Sequence, residues 1–198
     1  MIQRSFLQAK HWQLFLLLFG VPFLFQMLMM GFTFSQVFAE KQPDFDALYS
    51  QMIMLNGVMM ILIVTFFGWL WSVGLGLQAK IPSEVSMPVT RFKAFVIFPF
   101  LYILLIVGGM LYVSSGTSEL EAMETFPVNP MIFLLIIPFH FFAMFCILYD
   151  FYFVAKTIKT VELQRKVTFG DFIGEFFMIW FYPIGIWIVQ PKINEMSA

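Results

Sequence analysis

Nine of the chain's eleven Lys and Arg residues fall in alternate gaps between long apolar stretches, and six of its twelve acids fall in the gaps between those. A helix rises 1.5 Å per residue, so about 20 apolar residues cross a hydrocarbon core of roughly 30 Å. Repeated apolar stretches of that length, with cations confined to every second connection, are the pattern of a polytopic membrane protein with a fixed orientation.

The composition agrees. Hydrophobic residues make up 61% of the chain, charged ones only 12%, and 28 of its 198 residues are Phe, which is more apolar surface than a soluble domain could hide. Spans and short connections use nearly all of the length, so residues 1–198 read as a single integral membrane domain with no separate soluble one. A formal charge of −1 without a long basic run gives no electrostatic basis for a nucleic-acid partner. The single cysteine, Cys146, excludes an internal disulfide and a cysteine-rich metal site.

The predicted fold is an all-α polytopic transmembrane bundle with spans at about residues 14–38, 51–77, 94–113 and 131–155. The first stretch follows Arg4 and Lys10 and ends at Val37-Phe38-Ala39, which resembles a signal-peptide cleavage site. Its apolar run exceeds the ~7–15 residues of a signal core, so a retained span is expected. The first and third connections are acidic, with Glu40, Asp44 and Asp46 in one and Glu119, Glu121 and Glu124 in the other. The second carries Lys80, Arg91 and Lys93, with Pro82 and Pro88 breaking helical continuity, and the fourth carries Lys156, Lys159, Arg165 and Lys166. Cytoplasmic connections collect Lys and Arg, so the N-terminus is expected in the cytoplasm. Compactness and the absence of eukaryotic targeting signals point to the inner membrane of a bacterium.

The segment at about 169–190 is ambiguous. Thr168 and Asp171 have capping-box spacing, and Asp171, Gly174, Glu175 and Met178 share one side of the helix they would start. The following apolar run is interrupted by Pro183 and Gly185 and is short for a straight span. Two readings remain: a re-entrant or interfacial segment, which is preferred, and a short, kinked fifth span.

Polar groups at membrane depth are costly, at about 3 kcal/mol for an ionised side chain on insertion scales, and so are candidates for function. The chain offers Gln26, Asn56, His140, Asp150 and Glu175. His140 and Asp150 are separated by about 80° and 15 Å on an ideal helix, too far to touch. Hydrogen bonding between helices, or a position at the headgroups, is the simpler reading of this set, and a proton or ion relay is the functional one. Gly68, Ser72 and Gly76 line one helix face as candidate packing positions, and Gly170 and Gly174 repeat the spacing. Trp12, Trp69, Trp71, Trp180 and Trp187 fit an interfacial belt. Lys156, Lys159, Arg165 and Lys166 are candidates for lipid-headgroup or partner contact, or merely set topology.

No zinc-protease helix, P-loop or nucleophile elbow occurs, and two histidines, with His11 outside the spans, give no bis-histidine haem site within one copy. No catalytic residue, metal or cofactor is therefore expected. The block from Lys159 to Phe177, with Phe181-Tyr-Pro-Ile-Gly-Ile-Trp, Gln190-Pro-Lys-Ile-Asn, Lys80-Ile-Pro and Arg91-Phe-Lys-Ala-Phe, resembles small uncharacterised polytopic inner-membrane proteins of bacteria. That resemblance implies an integral membrane protein and carries no activity or site residues. The expected role is a non-enzymatic small subunit or accessory factor, with lipid and other membrane subunits or further copies of itself as partners. A small homo-oligomeric transporter or channel is the alternative, and a membrane-embedded enzyme comes third.

Overall fold

A computed structural model describes residues 2–38, 45–116 and 130–197. Glu40, Asp44, Glu119, Glu121 and Glu124 of the expected acidic connections lie outside them. The described residues form eight α-helices: α1 (Ile2–Gln8), α2 (His11–Phe15), α3 (Val21–Phe38), α4 (Phe45–Gly76), α5 (Val89–Gly116), α6 (Pro130–Leu163), α7 (Phe169–Trp180) and α8 (Tyr182–Ser197). The protein is an all-α helical bundle in which four helices are long and apolar enough to cross a membrane: His11–Gln36, Ser50–Lys80, Val89–Gly109 and Ile136–Leu163.

The first of these joins α2 and α3 through a π turn at Leu16–Gly20, where the Val21 N–H bonds the Leu16 carbonyl. Pro22 follows at once and has no N–H to give, so the wider turn lies where the ladder is interrupted. The fourth helix runs beyond the expected end near residue 155 to Leu163. Its last turns pass Lys156 and Lys159 because Ala155, Ile158 and Val161 keep one face of those turns buried. It then ends without glycine: Gln164 takes a left-handed conformation at φ 50°, and its side-chain amide donates to the carbonyls of Val161 (2.8 Å) and Lys80 (3.2 Å).

Packing is concentrated at one end of the bundle. Trp69, Leu70 and Val73 of α4, Leu77 just after it, Phe92 of α5, Phe153, Val154 and Ile158 of α6, Phe172 and Ile179 of α7, and Ile186 and Ile193 of α8 are buried together. Phe92 stacks on Phe153 with centroids 4.2 Å apart, and fits because Gly74 has no Cβ, which would lie 2.4 Å from the ring. Toward the other end, Leu24, Leu28, Leu105 and Leu134 are 61–72% exposed, as side chains facing lipid would be.

The C-terminal segment is a helical hairpin. The turn is at Phe181, whose N–H bonds the Phe177 carbonyl, and Pro183 falls in the first turn of α8, where its missing N–H costs nothing. The hairpin returns to its starting end: Lys192 of α8 meets Glu162 near the end of α6, the Lys80 ammonium reaches the Met196 carbonyl, and the Ser197 hydroxyl donates to the Leu7 carbonyl at 3.2 Å. Both ends of the hairpin thus lie at the packed end, and neither of its arms is among the four helices long and apolar enough to cross a membrane. The expected division of α7 into faces is also revised. Glu175 is buried with Phe172 and Ile179, whereas Phe169, Ile173, Phe177 and Trp180 are exposed, because the carboxylate is drawn to ammonium groups on the neighbouring helices.

Gly185 is what lets the two arms close: a Cβ there would lie 1.8 Å from the Met178 carbonyl oxygen, which is backbone and cannot step aside. Gly185→Ala is therefore expected to cost about 3 kcal/mol by overpacking. A lowered melting temperature in detergent and protease cleavage within residues 169–197 would register this, while Gly174→Ala, with nothing within 4 Å of its Cβ position, should match the parent.

Candidate functional site

All the cations of the chain except Lys41, which lies outside the described residues, belong to segments that meet at the packed end: α1 and its turn into α2, the Gln78–Lys80 turn, the start of α5, the end of α6, the connection from α6 to α7, and α8. The same end holds the densest polar network among the described residues.

Its centre is Gln190, fully buried on α8. The Trp69 indole N–H donates to its Oε1 at 2.8 Å, and its Nε2 shares two hydrogens among three acceptors, the carbonyls of Phe6 and Ala9, both at 3.0 Å, and Asn194 Oδ1 at 2.8 Å. The two carbonyls belong to the break between α1 and α2, where helix ends leave acceptors without helical partners. Asn194 adds a donation to Ala9 at 3.2 Å. One amide thus ties α8 to α4 and to the N-terminal helices.

A second group joins α6, α7 and α8. Lys159 Nζ lies 3.1 Å from Glu162 and 3.2 Å from Glu175, and Lys192 Nζ lies 3.2 Å from Glu175 and 3.6 Å from Glu162. Two ammonium groups and two carboxylates close a neutral ring. Burial alone would raise the Glu175 pKa; its backbone hydrogen bond and the ammonium groups of Lys159 and Lys192 outweigh this and hold the carboxyl below its ordinary value. At the start of α7, Arg165 binds Asp171 at 2.9 Å, and Asp171 accepts from the Thr168 N–H at 2.7 Å and from its hydroxyl at 2.9 Å. These bonds, that to Arg165 foremost, hold Asp171 well below the usual carboxylate range.

The predicted residues divide between this end and elsewhere. Gly68, Ser72 and Gly76 do line one face, and α1 covers it: Cβ atoms at Gly68 and Gly76 would lie 2.9 Å from Phe6 and 2.6 Å from Leu7. Gly170 and Gly174 are exposed, and the tightest backbone approach in the hairpin is made by Gly185 instead. Trp69 is fully buried and belongs to the Gln190 network, not to an interfacial belt; Trp12, Trp180 and Trp187 remain exposed. Of the four candidate headgroup cations, Lys159 and Arg165 are engaged in ion pairs, Lys156 lies over the Tyr152 ring at 5.8 Å, and Lys166 is exposed with no carboxylate partner among the described residues.

Asn56 donates to the Met52 carbonyl of its own helix at 2.9 Å. His140 is exposed and lies beside Tyr102, with ring centroids 6.1 Å apart. Gln26 is exposed and makes no hydrogen bond with any described residue. Asp150, expected to bond a neighbouring helix or sit at the headgroups, is instead fully buried, and neither carboxyl oxygen has a hydrogen-bond partner among the described residues. The described residues contain no group of three or more His, Cys, Asp or Glu able to hold a metal ion. No protein-family model, curated protein or solved structure matches the chain.

Sequence reasoning passed over Gln190, although a Gln-Pro step after an apolar run carries the one usable signal: an amide placed where hydrocarbon would be expected. Gln190→Leu is expected to cost about 3 kcal/mol, since it leaves the Trp69 N–H unsatisfied and takes a donor away from each of the Phe6 and Ala9 carbonyls, against about 1 kcal/mol for Trp69→Phe. Thermal unfolding followed by Trp fluorescence in detergent would rank the two.

Acid should loosen the hairpin. A carboxyl whose folded pKa lies below its unfolded value adds stability that is fully present above the unfolded value and lost as the pH falls through the folded one. For Glu175 and Asp171 the loss is expected below about pH 4. Melting temperatures measured from about pH 7 down to pH 3 should fall in that window, and should fall less in Glu175→Gln.

Proposed function

We propose that this protein is a non-enzymatic small subunit or accessory factor of a larger membrane assembly, seated in the inner membrane of a bacterium with its N-terminus in the cytoplasm. One observation carries the reading. Of the most apolar stretch of the first span only 6% is buried within the protein, against 22–28% for the other three, although α1 and α2 at its foot are bound into the packed core. The chain anchors this helix at one end and leaves the rest to be covered by lipid or by other helices. Van der Waals packing and interhelical hydrogen bonds drive association in a bilayer, so such a helix is suited to assembly. The gathering of the described cations at one end supports the cytoplasmic placement of that end.

A second reading, a small homo-oligomeric transporter or channel, draws on Asp150, a buried carboxyl with both oxygens unpartnered inside a candidate span. Such a group within a membrane helix is a functional candidate by default.

Extraction in a mild detergent followed by mass spectrometry should recover other membrane proteins in fixed proportion to this one. Recovery of the chain without them, together with solute flux in liposomes that Asp150→Asn abolishes, would replace the accessory role with the transporter reading. A reporter fused after Ala198 should be inaccessible from the periplasm; accessibility there would overturn the assigned orientation.

A further inference from the structure

A groove of about 330 Å³ separates the first and second spans, lined by Leu18, Pro22, Phe23 and Gln26 on one side and by residues including Leu55 and Met59 on the other. All of these are apolar except Gln26, which stands 15 residues into the 26-residue helix His11–Gln36, close to its middle. Farther along that span the Thr33 hydroxyl bonds the Met29 carbonyl at 3.0 Å and the Ser35 hydroxyl bonds the Phe32 carbonyl at 2.7 Å, while Gln36 stands at the very end of the span. The Gln26 amide has no partner among the described residues, and there is no water at that depth of a bilayer to supply one.

We propose that this face of the first span docks a second copy of the chain, the two Gln26 amides pairing across a two-fold axis along the membrane normal. A primary amide carries an acceptor and donors, so it is complementary to itself, and one symmetric pair satisfies both halves of each group. A foreign helix would have to bring a polar residue to the matching depth. An identical chain in the same orientation does so by necessity, since a two-fold interface brings each residue near the axis against its own counterpart. The stacked rings of Phe19 and Phe23, 5.5 Å apart and both exposed, stand beside the amide as an apolar ridge for the opposing groove. The proposal rests on the assembly reading only in its premise that the first span is covered by protein.

The test uses the full chain in native membranes with Cys146, which is buried, replaced by Ala. Met30→Cys, one turn from Gln26, should form a disulfide-linked dimer under mild oxidation, and Leu105→Cys on α5 should not. Adding Gln26→Leu should weaken self-association about tenfold, the loss of two interhelical hydrogen bonds of typical strength, and Gln26→Asn should retain part of it. The substituted position faces away from the packed core, so the melting temperature of the monomer, measured at high dilution in detergent, should not change. Equal cross-linking at both cysteines, or an unaltered dimer in Gln26→Leu, overturns the proposal, as does a monomer whose groove retains only co-purified lipid. If foreign membrane proteins still co-purify in those cases, the assembly reading stands without the dimer; a monomer recovered alone removes both.

Discussion

The amide of Gln190 joins parts of the chain that lie more than a hundred residues apart, and the packed end of the bundle depends on it. Three helix systems meet there: the break after α1, the last turns of α4 and the returning arm of the hairpin. Each brings a backbone or side-chain group that its own helix cannot satisfy. In a medium without water those groups impose a requirement that apolar packing alone does not meet, and a side chain with both an acceptor and donors meets it at a single point. The ion ring of Lys159, Glu162, Glu175 and Lys192 does comparable work on the far side of α8, with charges that cancel among themselves.

This produces a molecule with two different halves. At the cation-rich end, aromatic rings, fitted glycines and satisfied polar groups define one arrangement of the helices. Toward the opposite end, large aliphatic and aromatic side chains face outward and the helices separate, leaving grooves such as the one beside Gln26. The second half is a set of apolar helices held in register from one end.

The class of fold and the four helices long and apolar enough to cross a membrane were legible because they rest on composition, which needs no tertiary information. The capping of α7 by Thr168 and Asp171 was legible too, as a local pattern. The stripe at Gly68, Ser72 and Gly76 announced close packing, but its partner, the short α1, has no periodicity of its own to reveal it. Trp69 misled because a tryptophan near a span end is ordinarily interfacial, and only the presence of Gln190 across a gap of 121 residues makes burial of its N–H tolerable. Glu175 was assigned to a polar face for the same kind of reason: the ammonium groups that draw it inward come from two other helices. Gly185 was read as an interruption of an apolar run, whereas its role is to let two backbones touch, and no local spacing records that.

The attachment of residues 182–197 to residues 2–9 and to the end of α4 also bears on how the protein is made. Synthesis proceeds at roughly 5–20 residues per second, so on the order of ten seconds separates the emergence of Trp69 from that of Gln190. Throughout that interval the first spans are already apolar enough to enter the bilayer, yet the indole of Trp69 and the carbonyl of Ala9 lack the partners that α8 brings. The nascent chain therefore passes through a membrane-inserted but unclosed state. Arrival of the last helix is the event that converts an inserted protein into a folded one.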